Sequence, residues 1–259
     1  MNDKTAQNLY VLTKEGYHTI AKPFSATRRF SWDDCTPLRT IVKDGMSVLD
    51  VGCGNGRTAE LFTTHSIQYT GIDLNESFIH DARKRFSNDH TKEFYCGDML
   101  TLNTIKELEG RHFDVIFSIA VLHHAPSEQL RMQALSQMHL FLKSEGTLFL
   151  TAWNLWRATL QKKSVWKYAL ERSLLDPGSY QRAFGVDYRD LSWRDLLTTW
   201  KSGILSAPLY YYSFRCNELV ALCLKSGFTV LDCYYSLKGK RAHWWNAENI
   251  CLIAKKEAR

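Results

Sequence analysis

Long apolar runs are missing. No stretch of the 259 residues stays apolar long enough to span a bilayer as a helix, which excludes a helical membrane protein. The opening residues Met1-Asn2-Asp3-Lys4 lead into no apolar segment of the kind a secretory signal carries, so none is expected. The seven cysteines are odd in number and include no C-x-x-C pair. Cys35, Cys53, Cys96, Cys216, Cys223, Cys233 and Cys251 scatter along the chain as reduced, mostly buried thiols do. Neither a disulfide framework nor a metal site is expected, and the expected location is the reducing cytoplasm. Internal repeats and low-complexity tracts are also lacking, which excludes a repeat architecture.

What is present is the composition of a globular protein, 45% hydrophobic and 23% charged. A chain of this length can bury a full core as one large domain, or as one domain with a substantial insertion. The net charge of +6 is unevenly placed: residues 47–150 hold 9 basic and 13 acidic residues, the flanks 24 and 14. An acidic centre suits a cationic ligand and basic flanks suit a polyanion; ordinary solvated surface accounts for the flanks equally well.

The rest is organised around Ser47-Val48-Leu49-Asp50-Val51-Gly52-Cys53-Gly54-Asn55-Gly56-Arg57. Val48–Val51 reads as a short buried strand, and three glycines in five residues then let the backbone turn tightly and approach a ligand. Ala59, Leu61 and Phe62 follow as a helix packing on a sheet would show. The spacing is G-x-G-x-G, not the G-x-G-x-x-G of dinucleotide folds. Asp50 before the loop would repel a pyrophosphate, but it suits an ammonium group. A second strand, Gln68–Asp73, ends in an acid 23 positions after Asp50, near the ~20-residue spacing at which a carboxylate meets ribose hydroxyls. Further strands are expected at Glu93–Asp98, His112–Ala120 and Gly146–Trp153, with helices after Asn75 and over Ser127–Leu142. Strand and helix alternate, so the sheet is expected to be mostly parallel and doubly wound.

The stretch Val48–Gly56 resembles the first motif of class I S-adenosylmethionine (SAM)-dependent methyltransferases. The resemblance implies an α/β, Rossmann-like fold: a mostly parallel seven-stranded sheet with an antiparallel C-terminal strand, here with a helical insertion. It implies SAM as cofactor, held by Asp50, Gly52, Cys53, Gly54, Asn55 and Gly56 of the loop and by Asp73, Leu74 and Asn75. Asp98 and Met99 would meet the adenine, and Ser118, Ile119, Ala120 and His123 the reacting end. One methyltransferase domain over 1–259 is expected: a helical lid over 1–46, a cofactor core over 47–153, the insertion over 154–207 and a C-terminal helix and hairpin over 208–259.

Three further stretches resemble one family within that class, the tRNA wobble-uridine methyltransferases that esterify 5-carboxymethyluridine. Tyr17–Trp32 fits Y-x-x-I-A-x-x-F-S-x-T-R-x-x-x-W, Ser118–His124 fits S-I-A-V-x-H-H, and Tyr210–Leu219 resembles Y-Y-H-x-F-R-x-x-E-L. Pro23 and the polarity of the first stretch argue against a core element, and a helix is expected only over Asn8–His18. The resemblance implies an anticodon-loop substrate and a small zinc-binding activator subunit. It also implies Arg28, with Arg215, as the residues that orient the substrate carboxylate; no base is required, because a carboxylate is ionised at pH 7. His123, not His124, is expected to border the pocket. Trp156–Ser173 reads as a basic helix carrying Lys162, Lys163 and Lys167 among aromatics, fit either for RNA or for a solvated amphipathic face. A SAM-dependent O-methyltransferase of a small carboxylate or phenol is the alternative, and a non-catalytic subunit of the same fold that binds RNA or a partner a third.

Overall fold

Four short runs closed by an acid, a glycine or an alanine, and a longer one closed by Trp153, become the parallel half of one sheet. The computed structural model describes residues 1–27, 32–156, 170, 174 and 177–258. The strands are β1 (Ser47–Val51), β2 (Gln68–Asp73), β3 (Lys92–Cys96), β4 (Phe113–Ile119), β5 (Leu142–Trp153), β8 (Phe228–Leu237), β9 (Lys240–Arg241) and β10 (Asn249–Lys256). Their order is β3-β2-β1-β4-β5-β10-β8-β9. β1 to β5 run parallel, and β10 is antiparallel to both neighbours, Asn249 facing Trp153 on one side and Ser236 on the other. The expected seven strands are all present, with the two-residue β9 as an eighth. Because β1 lies between β2 and β4, the chain winds outward in both directions from it, and a crevice opens at the carboxyl ends of β1 and β4.

Helices cover both faces. One core joins Leu49, Val51, Ile116, Leu148 and Leu150 to α4 (Glu128–Phe141) and α6 (Cys216–Lys225). The other joins Val48, Val115, Phe117 and Phe149 to α2 (Thr36–Ile41) and α3 (Glu76–Arg85). The period of two along each strand sends alternate residues to opposite cores. Asn75 caps α3 by accepting from the Ser77 and Phe78 amides, and Ser127 caps α4 by accepting from Leu130.

Three local expectations are corrected. First, α1 runs over Asp3–Ala26, straight through Pro23, where a helix was expected only over Asn8–His18. Pro23 stands near its C-terminal end and costs one amide bond there, while Leu9, Tyr10, Ile20 and Ala21 bury one face along the helix. Second, the glycine loop leads into a six-residue 3₁₀ helix, Arg57–Phe62, not an α-helix. Third, the 154–207 stretch is not wholly helical. Its described helical segments include α5 (Pro177–Phe184) and a 3₁₀ turn, Tyr188–Asp190, and β6 (Asp195–Ser202) pairs with β7 (Leu205–Tyr212) as a separate hairpin. Ser202 faces Leu205 across a two-residue turn, and Leu196, Thr198, Thr199, Trp200 and Tyr210–Tyr212 are the branched and aromatic residues that strands favour. α1 packs on this hairpin, and the Tyr210 amide donates to Thr13 Oγ1 at 3.1 Å. The basic helix expected over Trp156–Ser173 lies, but for Trp156 and Leu170, outside the described residues, and so do Arg28 and Arg29. No helix among the described residues is long and apolar enough to cross a membrane.

Candidate active site

At the carboxyl ends of β1, β2 and β4 lies a cavity of about 590 Å³, within the usual size range of small-molecule sites. Gly52, Cys53, Gly54, Asn55, Arg57 and Thr58 of the glycine loop line it, with Ile72, Asp73, Leu74, Asn75 and Phe78 from the end of β2 and from α3. Gly97, Met99, Ile119, Ala120, Val121, His124 and Trp153 complete the sheet side. α1 forms the opposite wall through Tyr10, Thr13, Lys14, Tyr17, Phe24 and Ser25, and Trp32 follows it.

The loop is held by the end of β2. Gly52 and Cys53 donate their amides to the Ile72 carbonyl at 2.7 and 3.0 Å. Asp73 accepts from the Gly54 amide on one oxygen and the Asn75 amide on the other, each at 2.8 Å. Burial lifts the Asp73 carboxyl to about 6, and these two amides hold it from rising further. Gly52 has φ +83°, and a Cβ there would stand 2.2 Å from Val121 Cγ2. Gly54 has φ +55° and open space where a Cβ would be. The loop backbone therefore faces free volume, as a cradle for a ligand should, and an acid with accepting capacity stands beside it. At the start of α3 the Ser77 and Phe78 amides are already taken by the Asn75 side chain, and the described lining fits a cationic, hydroxyl-bearing cofactor such as SAM.

The α1 wall is tied down. Asn55 Nδ2 donates to Ser25 Oγ at 3.0 Å, and Ser25 Oγ donates to Asp81 at 2.7 Å. The Tyr10 hydroxyl donates to Asp98 Oδ1 at 2.6 Å, and burial with the Asp98 charge pushes the Tyr10 phenol far up. His124 Nδ1 lies 2.9 Å from the Tyr210 carbonyl, which can only accept, so Nδ1 carries the proton and Nε2 accepts from the Tyr17 hydroxyl at 3.1 Å. Tyr17, Phe24 and Phe78 meet ring to ring, and Trp153 stacks on Tyr211 at 5.0 Å.

The cavity brings together Gly52, Cys53, Gly54, Asn55, Asp73, Leu74, Asn75, Met99, Ile119 and Ala120 of the residues expected from sequence. Others fall elsewhere. Asp50 is buried on the far side of β1, where Tyr69 donates to its Oδ2 at 2.5 Å, because alternation turns it with Val48 into the second core. Gly56 packs against Ala82 and Phe94. Ser118 donates to the Val51 carbonyl at 2.8 Å and joins β4 to β1. Asp98 accepts from the Tyr10 hydroxyl and the Leu100 amide and does not line the cavity. His123 and His124 exchange their expected places: the 3₁₀ turn Leu122–His124 points His124 to the cavity and buries His123 between Trp153 and Tyr211. Arg215 starts α6 with its guanidinium 4.1 Å over the Trp156 ring, and it does not line the cavity. Sequence reasoning missed Tyr10, Thr13, Lys14, Arg57, Phe78 and Val121 as wall residues. Tyr17, Phe24, Ser25 and Trp32 stood in the N-terminal pattern, which marked them without showing that they face the cavity.

Asp50 gives a pH prediction. Burial lifts its carboxyl to about 7, with the Asp73 charge adding and Tyr69 and Arg57 opposing. A carboxyl raised on folding contributes stability that is full below its unfolded value near 3.9 and lost as pH rises through 7. Asp50→Asn removes that loss, so the variant should gain on the wild type by on the order of 2 kcal/mol between pH 5 and pH 8. Urea unfolding at both pH values checks this; a constant difference would show that Asp50 ionises as freely in the fold as in water.

Residues 49–148 match the family described as a methyltransferase domain. A provisionally named methyltransferase of Encephalitozoon cuniculi is 29% identical over 217 residues, 83% of this chain and 86% of that one. A tRNA (carboxymethyluridine(34)-5-O)-methyltransferase of Xenopus tropicalis is 30% identical over 171 residues, 66% of this chain but 25% of that protein, so the chain matches about a quarter of its length. A ubiquinone biosynthesis O-methyltransferase of Coxiella burnetii is 30% identical over 115 residues, 44% of this chain and 46% of that one. Among solved structures, a complex between the Haloferax volcanii Trm112 methyltransferase activator and a provisionally named methyltransferase superposes with a TM-score of 0.62 at 13% identity, covering 95% of this chain and 98% of that one. That likeness is one of fold. With the cavity, the glycine cradle and the sequence matches in agreement, the chain is a class I SAM-dependent methyltransferase.

Proposed function

We propose that the protein transfers the methyl group of SAM to a carboxylate oxygen of a carboxymethyl-type uridine at the wobble position of tRNA. The observation that carries this reading is the place of α1. The pattern that resembles the wobble-uridine family puts Tyr17, Phe24, Ser25 and Trp32 on the cavity wall opposite the glycine loop. The Xenopus relative, named for that reaction, supports it. A methyltransferase activator subunit and a cytoplasmic location belong to the same proposal.

Bound in the cavity, the cofactor supplies a methyl group on a sulfonium, already an excellent leaving group. The chain therefore contributes mainly alignment. Asp73, with its two oxygens fixed by the Gly54 and Asn75 amides, keeps lone pairs for ribose hydroxyls. The Gly52–Gly54 backbone would face the methionine portion and Leu74 and Met99 would flank the adenine, while Asp98, set back from the cavity, fixes the Tyr10 wall by accepting from its hydroxyl. Ile119 and Ala120, at the end of β4, leave room for the reacting atoms. The acceptor carboxylate needs no base. His124 orders the wall by donating to the Tyr210 carbonyl and accepting from Tyr17.

The aromatic wall of Tyr17, Phe24, Phe78 and Trp153 and the Coxiella relative favour a second reading, O-methylation of a small carboxylate or phenol. Arg28 separates the two. Ser25 and Trp32, on either side of residues 28–31, both line the cavity. Arg28→Ala should keep SAM affinity and lower methyl transfer to a carboxylated uridine ~10-fold or more, as loss of one charge-assisted contact does. Arg28→Lys should restore only part, since an ammonium lacks the planar fork. Arg215→Ala is the control, because that guanidinium lies over Trp156. A fully active Arg28→Ala variant would move the small-molecule reading ahead.

A further inference from the structure

We infer that the exposed turn 243–246, with the basic tip of the β8–β9 hairpin, is a stacking platform for unpaired RNA bases beside the cavity. The inference rests on the proposed RNA acceptor and extends it. Trp244 and Trp245 are 50% and 48% exposed, although burying such rings is strongly favourable. His243 and Trp245 are stacked, with ring centroids 4.3 Å apart and planes at 2°, and Trp244 stands at 87° to Trp245. The rings are exposed on a fixed backbone, not on a loose one. The Ala247 amide donates to the His243 carbonyl at 2.9 Å, and the His243 amide donates to Asn246 Oδ1 at 3.0 Å. Asn154 Nδ2 donates to the Trp244 and Ala247 carbonyls at 2.6 and 3.0 Å.

Charge and place point to the partner. Residues 238–246 contain Lys238, Lys240 and Arg241 and no acid. Arg241 pairs with Asp232 and lies over Tyr234, whereas Lys238 and Lys240 are exposed. The platform shares a frame with the cavity on two sides. Asn154 follows Trp153, which lines the cavity and pairs with Asn249. Asp34, two residues after Trp32, accepts from the Ser236 hydroxyl, from the Gly239 amide at 2.9 Å and from Asn249 Nδ2 at 2.5 Å. Cations for phosphates beside flat rings for bases are what single-stranded nucleic acid requires, and every base has a face to stack. A protein partner would use the indoles but has no comparable need of the lysines.

The test measures binding of two labelled RNAs: an anticodon stem–loop with 5-carboxymethyluridine at the wobble position, and an unmodified single-stranded oligonucleotide. Trp244→Ala with Trp245→Ala should weaken both by ~10-fold or more, the scale of lost base stacking. Lys238→Gln with Lys240→Gln should weaken both and flatten the salt dependence. SAM affinity, unchanged in each variant, certifies the fold, and Trp244→Phe with Trp245→Phe should retain most binding. Alanine variants that bind both RNAs as the wild type does overturn the platform, as does a wild type that binds neither; a protein partner is then the better occupant. Indole-dependent RNA binding without methyl transfer to the modified stem–loop would reject the proposed acceptor and keep the platform. Methyl transfer with indole-independent binding would do the reverse.

Discussion

Gly52→Ala should leave the sheet folded and weaken SAM binding about a hundredfold or more. Two costs combine at this position. The backbone has φ +83°, where any residue with a Cβ is strained by ~1–2 kcal/mol. The new methyl would also stand 2.2 Å from Val121 Cγ2, inside van der Waals contact. Relief must move either the Gly52 amide off the Ile72 carbonyl or Val121 off its place, and Val121 itself lines the cavity. Each escape distorts the surface on which the cofactor rests. Val121→Ala in the same chain removes the clash but not the strained φ, so the double variant should recover part of the affinity. Calorimetry on the three chains gives the coupling directly. A Gly52→Ala chain that binds SAM as the wild type does would show that the loop is not the cradle.

Asp73→Ala should weaken SAM binding by roughly 1–3 kcal/mol, with the larger value expected because two functions are lost together. The carboxylate would no longer accept from ribose hydroxyls, and the Gly54 and Asn75 amides would lose the partner that fixes the loop. Asp73→Asn is the informative companion. An amide has one oxygen and one NH₂, but both positions here face an N–H donor, so either orientation sets donor against donor. Asparagine should therefore bind little better than alanine, although it matches aspartate in shape. An asparagine variant with wild-type affinity would mean that Asp73 acts through shape alone.

The parts of the molecule legible in its sequence were those where a short apolar run ends in a chemically distinct residue. Val48–Val51 before three glycines and Gln68–Asp73 ending in an acid could be placed, and so could their order in the sheet, because alternation with helices restricts the connections. The face of each residue within such a run was not legible. Val48 to Val51 are all buried, so no exposed residue marked the alternation that turns Asp50 away from the cavity. A pair of adjacent histidines likewise contains no direction; the 3₁₀ turn at Leu122–His124 supplies it. Asp195–Tyr212 was hidden for another reason. Its outer strand carries Lys201 and Ser202 at the turn end, and its burial comes from Ile20, Leu9 and Tyr180, which are distant in sequence. Arg215 stood in a matched motif, and only the position of Trp156 shows that its guanidinium is engaged there.

The central claim is tested most directly by incubating the protein, with and without an activator subunit, with labelled SAM and tRNA containing 5-carboxymethyluridine, then digesting to nucleosides for mass spectrometry. The account predicts label in a single wobble nucleoside, one methylene heavier than its precursor and returned to it by mild alkali, as an ester must be. Label absent from that nucleoside, or held there in an alkali-resistant position, while the same preparation methylates a small carboxylate or phenol, would contradict it.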